Sequence, residues 1–338
     1  MTHALPHERA PAARIFTCWP AHAEEWPDGL APVRADFAGF LQALTRGRTA
    51  SPLTVLAANG EAEASARQAV GRFAQVIRAP YGDVWTRDTG PVFFREDGRL
   101  IAAQFRLNGW GGKFQMPGDE TVAARLAAEA GAELRKVDLV AEGGALEFDG
   151  DGTVLTTRSC LLNPNRNPGL SEHEVEARLK AGLGVKKVLW LDDGLVADHT
   201  DGHIDNLARF VRPGLVLCQS PIGKDDPNAA VYGAAARQIS RMRDARGRRL
   251  QLALIPSPGR VTGPDGEVRA ASHLNYVFGA DRIIVPTYGG AGEGPALRGL
   301  RTIFREHRII GAPATGVLAG GGAFHCVTCH IPAEEAAA

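Results

Sequence analysis

A chain of 338 residues with 44% apolar and 22% charged side chains can bury a large core and carries no signature of disorder. Lys plus Arg and Asp plus Glu both number 38, so there is no basic surplus of the kind that selects nucleic acid or an anionic membrane. The opening MTHALPHERAPAARIF has no apolar leader and no stretch is long and apolar enough to span a bilayer, which predicts a cytoplasmic protein whose five cysteines are reduced thiols.

In chain order, an Ala-rich helix is expected from about Glu61 and a β-type run at WTRDTGPVFF (85–94). A second helix follows near Asp119, then β-type runs at GALEFDG (144–150) and TVLTTRS (153–159). Ser171 with Glu174 three residues later is a capping box opening a third helix, and KKVLWLD (186–192) reads as the next strand. LVLCQS (215–220), a helix near Asn228, LQLALIP (250–256), RIIVPTY (282–288) and a helix near Gly294 complete the series. The basic run at 237–249 reads as a solvated helix face and its end, and the final PAEEAAA as a frayed tail. The helix starts recur at roughly 60-residue spacing, which suggests five similar helix-plus-strand modules closing on themselves in one domain, 1–338. A doubly wound open sheet alternates strand and helix equally well, and pattern alone does not separate the two.

The most polar, glycine-marked strings fall once in each module: DVWTRDTGP (83–91), AEGGALEFDGDG (141–152), TDGHIDN (200–206), SHLNY (272–276) and GGGAFHC (320–326). If the modules close into a ring, these strings converge on one site. His203 and Asp205, two apart on a strand, would present imidazole and carboxylate on one face, a pair suited to acid–base work. Trp85 with Asp83 and Asp88 suits a planar cation, against the plainer alternative that Arg87 simply pairs with one of those acids. Glu142 precedes two glycines that permit close backbone approach, and NGWGG (108–112) reads as a glycine loop holding Trp110 as a pocket wall.

The string GGGAFHCVTCH (320–330) supports three chemistries. Cys326 can be a nucleophile reached past Gly320–Gly322, CVTCH matches a haem-attachment pattern, and Cys with His can bind metal. Haem attachment fits an exported protein, so a non-enzyme haem or redox carrier built on CVTCH stays only as a remote alternative. A zinc site normally needs a second ligand set at finger-like spacing, which the sequence lacks.

Taken together, CWP (18–20), DVWTRDTGP, NGWGG, EGG, LTTRSCLLNPNRNP (155–168), TDGHIDN, FVRPG (210–214) and GGGAFHC resemble the agmatine deiminase family, within the guanidino-group-modifying (peptidyl-arginine deiminase) superfamily. The resemblance runs from about Ile15 to Pro332. It implies a five-bladed, pseudo-fivefold α/β propeller of the pentein type. It also implies a guanidine hydrolase that makes N-carbamoylputrescine and ammonia from agmatine, using neither metal nor cofactor. By the same resemblance Cys326 is the nucleophile, His203 the general acid/base, and Asp88 and Asp205 the carboxylates gripping the guanidinium. Glu142 is a further acid of the site, with Trp85, Asn275, Asp83 and Trp110 lining it.

The expected partner is a small guanidine, with no nucleic acid and no membrane; a homo-oligomer stays open. Asp201, Ala323 and Cys329-His330 depart from the family's usual residues, and MPAEW is blurred to HERAPAA. These departures bear on the substrate rather than on the guanidine core. A related deiminase of free, C-terminal or peptidyl arginine is therefore the alternative, and it would need an arginine at the far end of the pocket to hold the carboxylate.

Overall fold

The computed structural model describes residues 3–47 and 50–333; the 334–338 tail lies outside the described residues. Within them the strands form five small sheets, none wider than four strands, so the doubly wound open sheet does not apply. The sheets are the blades of an α/β propeller, and each repeats one plan: an antiparallel pair, a helix, then a parallel strand.

Blade one has Val92–Glu96 antiparallel to Arg99–Arg106, which runs parallel to Glu133–Val140. Blade two repeats this with Glu147–Phe148, Thr153–Thr157 and Lys187–Leu191. Blade three uses Ala208–Arg212, Leu215–Ser220 and Gln251–Pro256, and blade four Val277–Phe278, Arg282–Thr287 and Arg308–Pro313. Blade five closes the ring. Its first strand, Cys329–Pro332, comes from the C-terminal end and pairs antiparallel with Ala12–Cys18, which runs parallel to Leu53–Ala57.

Helices fill the space beside the blades. Glu172–Leu183 opens on the expected Ser171–Glu174 capping box and buries Val175, Leu179 and Leu183 in one cluster with Val137 and Leu139 of blade one. Each such side chain contributes about 1.5–3 kcal/mol when fully buried. The helices expected near Asp119, Asn228 and Gly294 form as Asp119–Ala130, Ala229–Ile239 and Glu293–Ile303. Among the described residues no helix is long and apolar enough to cross a membrane.

Four expectations are corrected. The helix of the fifth blade is Leu30–Leu44, which the sequence pattern passed over; Gly60–Val70 is an addition that leads to an extra strand, Gln75–Arg78. Leu30–Leu44 lacks a start signal: its N-cap is Gly29 at φ +74°, with no side-chain cap, and Pro32 sits in its first turn. WTRDTGPVFF is a helical turn, Thr86–Thr89, followed by a strand, not one β run. His203 and Asp205 lie at the start of a helical turn, Ile204–Leu207, rather than on a strand, so they do not share a face by β alternation. The basic run overlaps its helix only as far as Ile239; beyond it Arg246 and Arg248 pair with Asp151.

Candidate active site

Every blade is entered through a short turn just before its first strand, and these turns hold the polar strings. Thr86–Thr89 carries Asp88, Gly143–Ala145 follows Glu142, and Ile204–Leu207 follows His203 and carries Asp205. The turn at 272–275 carries Asn275, and Cys326 immediately precedes the last blade. Ring closure thus brings together side chains more than two hundred residues apart in sequence.

Asn275 and Asp205 surround the Cys326 sulfur. Asn275 Nδ2 donates to Sγ at 3.2 Å, and Asp205 Oδ2 lies 3.8 Å from it. Burial pushes the thiol well above its ordinary range, and the Asp205 and Asp88 charges add to the effect. Asp205 is itself held below the usual carboxylate range: burial would raise it, but the hydrogen bond and charge of His325 (Nδ1 to Oδ2, 2.7 Å) outweigh that.

Asp88 accepts from the Trp110 indole N–H at 2.9 Å and from the Gly144 backbone N–H at 2.9 Å. A Cβ at Gly144 would sit 2.6 Å from His203 Nδ1 and 2.9 Å from Asp88 Oδ1, so the second glycine of EGG is needed for this approach. Trp110 pays for its place with a left-handed backbone, φ +51°. Burial raises the Asp88 carboxyl, with His203 partly offsetting it.

His203 is fully buried and stands between two acids, Nε2 3.5 Å from Glu142 Oε2 and Nδ1 3.8 Å from Asp88 Oδ2. Neither ring nitrogen has a close hydrogen bond, which leaves both available for proton transfer. Burial alone would lower its proton affinity, but Asp88, Cys160 and Glu142 raise it well above the ordinary value. Glu142 is held low by His203 and Arg166 against the opposing effect of burial, with Arg166 Nε 2.7 Å from Oε1.

Glu142, Cys160 and His203 also each bring one ligating atom within 4.8 Å of the others. With a guanidinium on Glu142 and His203 disposed to hold a proton, that cluster already carries positive charge and suits a divalent cation poorly.

A cleft with about 430 Å³ of empty space leads to Cys326. Asp83, Trp85, Asp88, Trp110, Phe114, His199 and Gly320–Gly322 line it, and among the described residues no Arg or Lys is in its walls. Gly322 belongs at that wall because a Cβ there would come within 2.5 Å of the Trp85 ring. Asp83 takes the Trp85 indole N–H at 2.7 Å and so fixes the ring; burial raises its carboxyl. Glu25, hydrogen-bonded to Asp83, is pushed up to about 9 by burial and by the Asp83 charge.

The five arginines near the motifs are all engaged elsewhere. Arg87 meets Glu8 rather than Asp83 or Asp88, Arg106 meets Asp138, and Arg158 meets Glu172 and Asp192. Arg166 bridges Glu142 and Asp201, and Arg209 bridges Glu8 and Glu147. The two cysteines of CVTCH face different surroundings: Cys326 opens to the cleft, while Cys329 donates to the Pro91 carbonyl at 3.3 Å. His330 lies 3.3 Å from Arg87.

The structure therefore gathers Cys326, His203, Asp205, Asp88, Glu142 and Asn275 around one point, with Trp85, Asp83 and Trp110 on the approach. Sequence reasoning missed His325, Arg166, Glu25 and Glu8. His325 and Arg166 sit inside quoted motifs, whereas nothing in the N-terminal segment marks Glu8.

The model of the Porphyromonas-type peptidyl-arginine deiminase family matches residues 4–332. The chain belongs to that family. Among its relatives, an agmatine deiminase of Stutzerimonas stutzeri is 38% identical, covering 97% of this chain and 95% of that protein. One of Pseudomonas aeruginosa is 36% identical over 98% and 96%. The solved agmatine deiminase of Enterococcus faecalis superposes with a TM-score of 0.92 at 31% identity, covering 98% of this chain and 96% of its own. A Campylobacter jejuni agmatine deiminase with substrate bound gives 0.88 at 26%, covering 98% and 97%. The five-bladed arrangement is the fold of these deiminases.

Proposed function

We propose that this protein is an agmatine deiminase, one catalytic domain acting in the cytoplasm on a small cationic guanidine. The observation that carries the choice of substrate is the cleft wall: among the described residues it presents the carboxylates Asp83 and Asp88 and no guanidinium or ammonium group. An arginine substrate brings a carboxylate that would find no cation there, whereas agmatine's second positive charge meets acids. The names of the relatives point the same way.

A guanidinium is resonance-stabilised and stays protonated at neutral pH, so its carbon must be exposed and fixed before it reacts. Asp88 and Asp205 take its N–H groups by forked hydrogen bonds and hold its plane against Cys326. Its charge cancels theirs beside Sγ, which removes part of what opposes thiolate formation, and the thiol proton leaves to water. The thiolate adds to the guanidinium carbon. His203, poised as the acid between Glu142 and Asp88, protonates the departing nitrogen, and ammonia leaves an amidino-cysteine. Neutral His203 then takes a proton from water as it adds to the same carbon. Collapse of this second adduct expels the thiolate and releases N-carbamoylputrescine.

The test is ammonia release from agmatine, arginine and a peptide ending in arginine. Agmatine should exceed the other two in kcat/KM by about 100-fold, the discrimination expected of a site that leaves a carboxylate unpaired. Faster turnover of arginine would overturn the substrate assignment.

A further inference from the structure

The segment before Ala12 runs across all five blades. His3–Ala4 pairs with blade one, His7 packs against Gly150 of blade two and hydrogen-bonds the Phe210 carbonyl of blade three at 2.7 Å, Arg9 meets Glu306, and the Pro11 carbonyl takes the Ala333 N–H beside blade five. At its centre Glu8 enters the protein away from the substrate cleft, whose walls it does not join. It borders a separate, solvent-open pocket with about 550 Å³ of empty space.

Three basic side chains converge on its carboxylate: Arg87 at 2.7 Å, Arg209 at 2.6 Å and His325 Nε2 at 2.8 Å. The other nitrogen of His325 reaches Asp205, and Asp205 stands beside the Cys326 sulfur. Glu8 is therefore two hydrogen bonds from a carboxylate assigned to the guanidinium. Glu8 and Asp205 are both held ionised by these neighbours, and an ionised carboxylate only accepts. The two ring nitrogens of His325 thus tie the carboxylate of Glu8 to that of Asp205. Without Glu8 the outer nitrogen loses its partner, and Arg87 and Arg209 are left together with less to balance them.

We propose that Glu8 is a positioning residue for the reaction: through His325 it fixes the orientation of Asp205 beside Cys326. This rests on the roles given above to Asp205 and Cys326. Because Glu8 touches neither substrate nor sulfur, its effect falls on the placement of the reacting groups and not on the far end of the cleft.

The experiment compares the full-length protein with Glu8→Gln, His325→Gln and the double variant, measuring kcat, KM and thermal midpoint on whichever guanidine the unmodified protein turns over best. Glu8→Gln should keep KM within about threefold and lower kcat about 100-fold, the scale of a small misplacement at a reacting centre. The double variant should lose about the same factor as either single one, because both break one chain of contacts. Glu8→Asp, which keeps the charge on a shorter arm, should recover part of kcat. An unchanged kcat, losses that multiply in the double variant, or a falling thermal midpoint with kcat intact would each overturn the proposal. Failure of both Glu8 variants to fold would make Glu8 a fold-holding residue and would overturn it too. The unmodified protein separately tests the substrate: preference for another guanidine removes agmatine and leaves the Glu8 comparison readable, whereas inertness toward every guanidine removes both.

Discussion

Asp205 holds a carboxylate oxygen 3.8 Å from the Cys326 sulfur, with the neutral Asn275 amide against the same sulfur. A thiolate formed there without substrate would face that carboxylate inside a buried site, which is why the thiol is pushed up and not down. In the free protein, alkylation of Cys326 by iodoacetamide should be slow at pH 7 and still accelerating past pH 9. Asp205→Asn should speed it about tenfold at pH 8, the equivalent of roughly one pKa unit. A rate that levels off near pH 7 would show a thiolate already present without substrate.

The two C-terminal cysteines should separate cleanly. Cys326→Ala removes the nucleophile and should abolish ureido product. Cys329→Ala removes a buried thiol whose contact is the Pro91 carbonyl, at about 1–2 kcal/mol of stability, and should keep activity within about threefold. Colorimetric product assays beside denaturation curves decide it, and equal activity losses would defeat the single-nucleophile scheme.

Asp83 lines the cleft and, in the proposed complex, meets the substrate's second charge, so Asp83→Asn should raise the KM for agmatine at least tenfold while changing kcat much less. Its partner Glu25, with a carboxyl pushed up to about 9, keeps a proton through neutral pH. Loss of that proton adds negative charge beside the cleft, so KM for agmatine should fall roughly tenfold from pH 7 to 9. Glu25→Gln should flatten the slope; steady-state kinetics at several pH values would expose a slope that persists.

How much of this was legible from sequence follows from the kind of signal each residue leaves. The modules were readable because they repeat, their closing into a ring came with the family resemblance and not with the pattern, and the site was readable because its strings are polar, glycine-marked and present once per module. Local conformation was less so. His203 and Asp205 form a turn because ring closure demands a tight entry to Ala208–Arg212, a tertiary cause that i and i+2 spacing does not carry. Leu30–Leu44 was missed because Gly29 gives no side-chain cap and Pro32 mimics a breaker, while burial of Phe37, Phe40 and Leu41 is what secures the helix. Phe40 stacks on Phe324 at 4.3 Å, a contact that no local pattern announces. Glu8 left no trace at all, since its partners Arg87, Arg209 and His325 are scattered along the chain.

Stability should also depend on pH, and the sign follows from the shifted groups. Asp119 and Glu147 are raised to about 7 and Glu25 to about 9, each by burial first. A carboxyl raised in the folded state binds its proton more tightly there than in the unfolded chain, so its contribution is lost as pH rises through the folded value. Below pH 7 the buried histidines His7, His273 and His330, all lowered by burial, act in the opposite direction and gain stability as pH rises. From pH 7 to 9 that opposition is spent. Glu25, the raised imidazole of His203 and the raised thiols Cys18, Cys218 and Cys326 then all favour the protonated folded state. The thermal midpoint should therefore peak near pH 6–7 and fall by several degrees toward pH 9, with each raised proton contributing at most about 1.4 kcal/mol per pH unit. Glu25→Gln should lessen the fall. Asp119→Asn should change the slope only below pH 7, because its carbonyl oxygen can still accept the Gly82 and Asp83 N–H groups. Calorimetry across pH 5 to 9.5 measures this directly, and a midpoint that climbs between pH 7 and 9 would contradict the assignment.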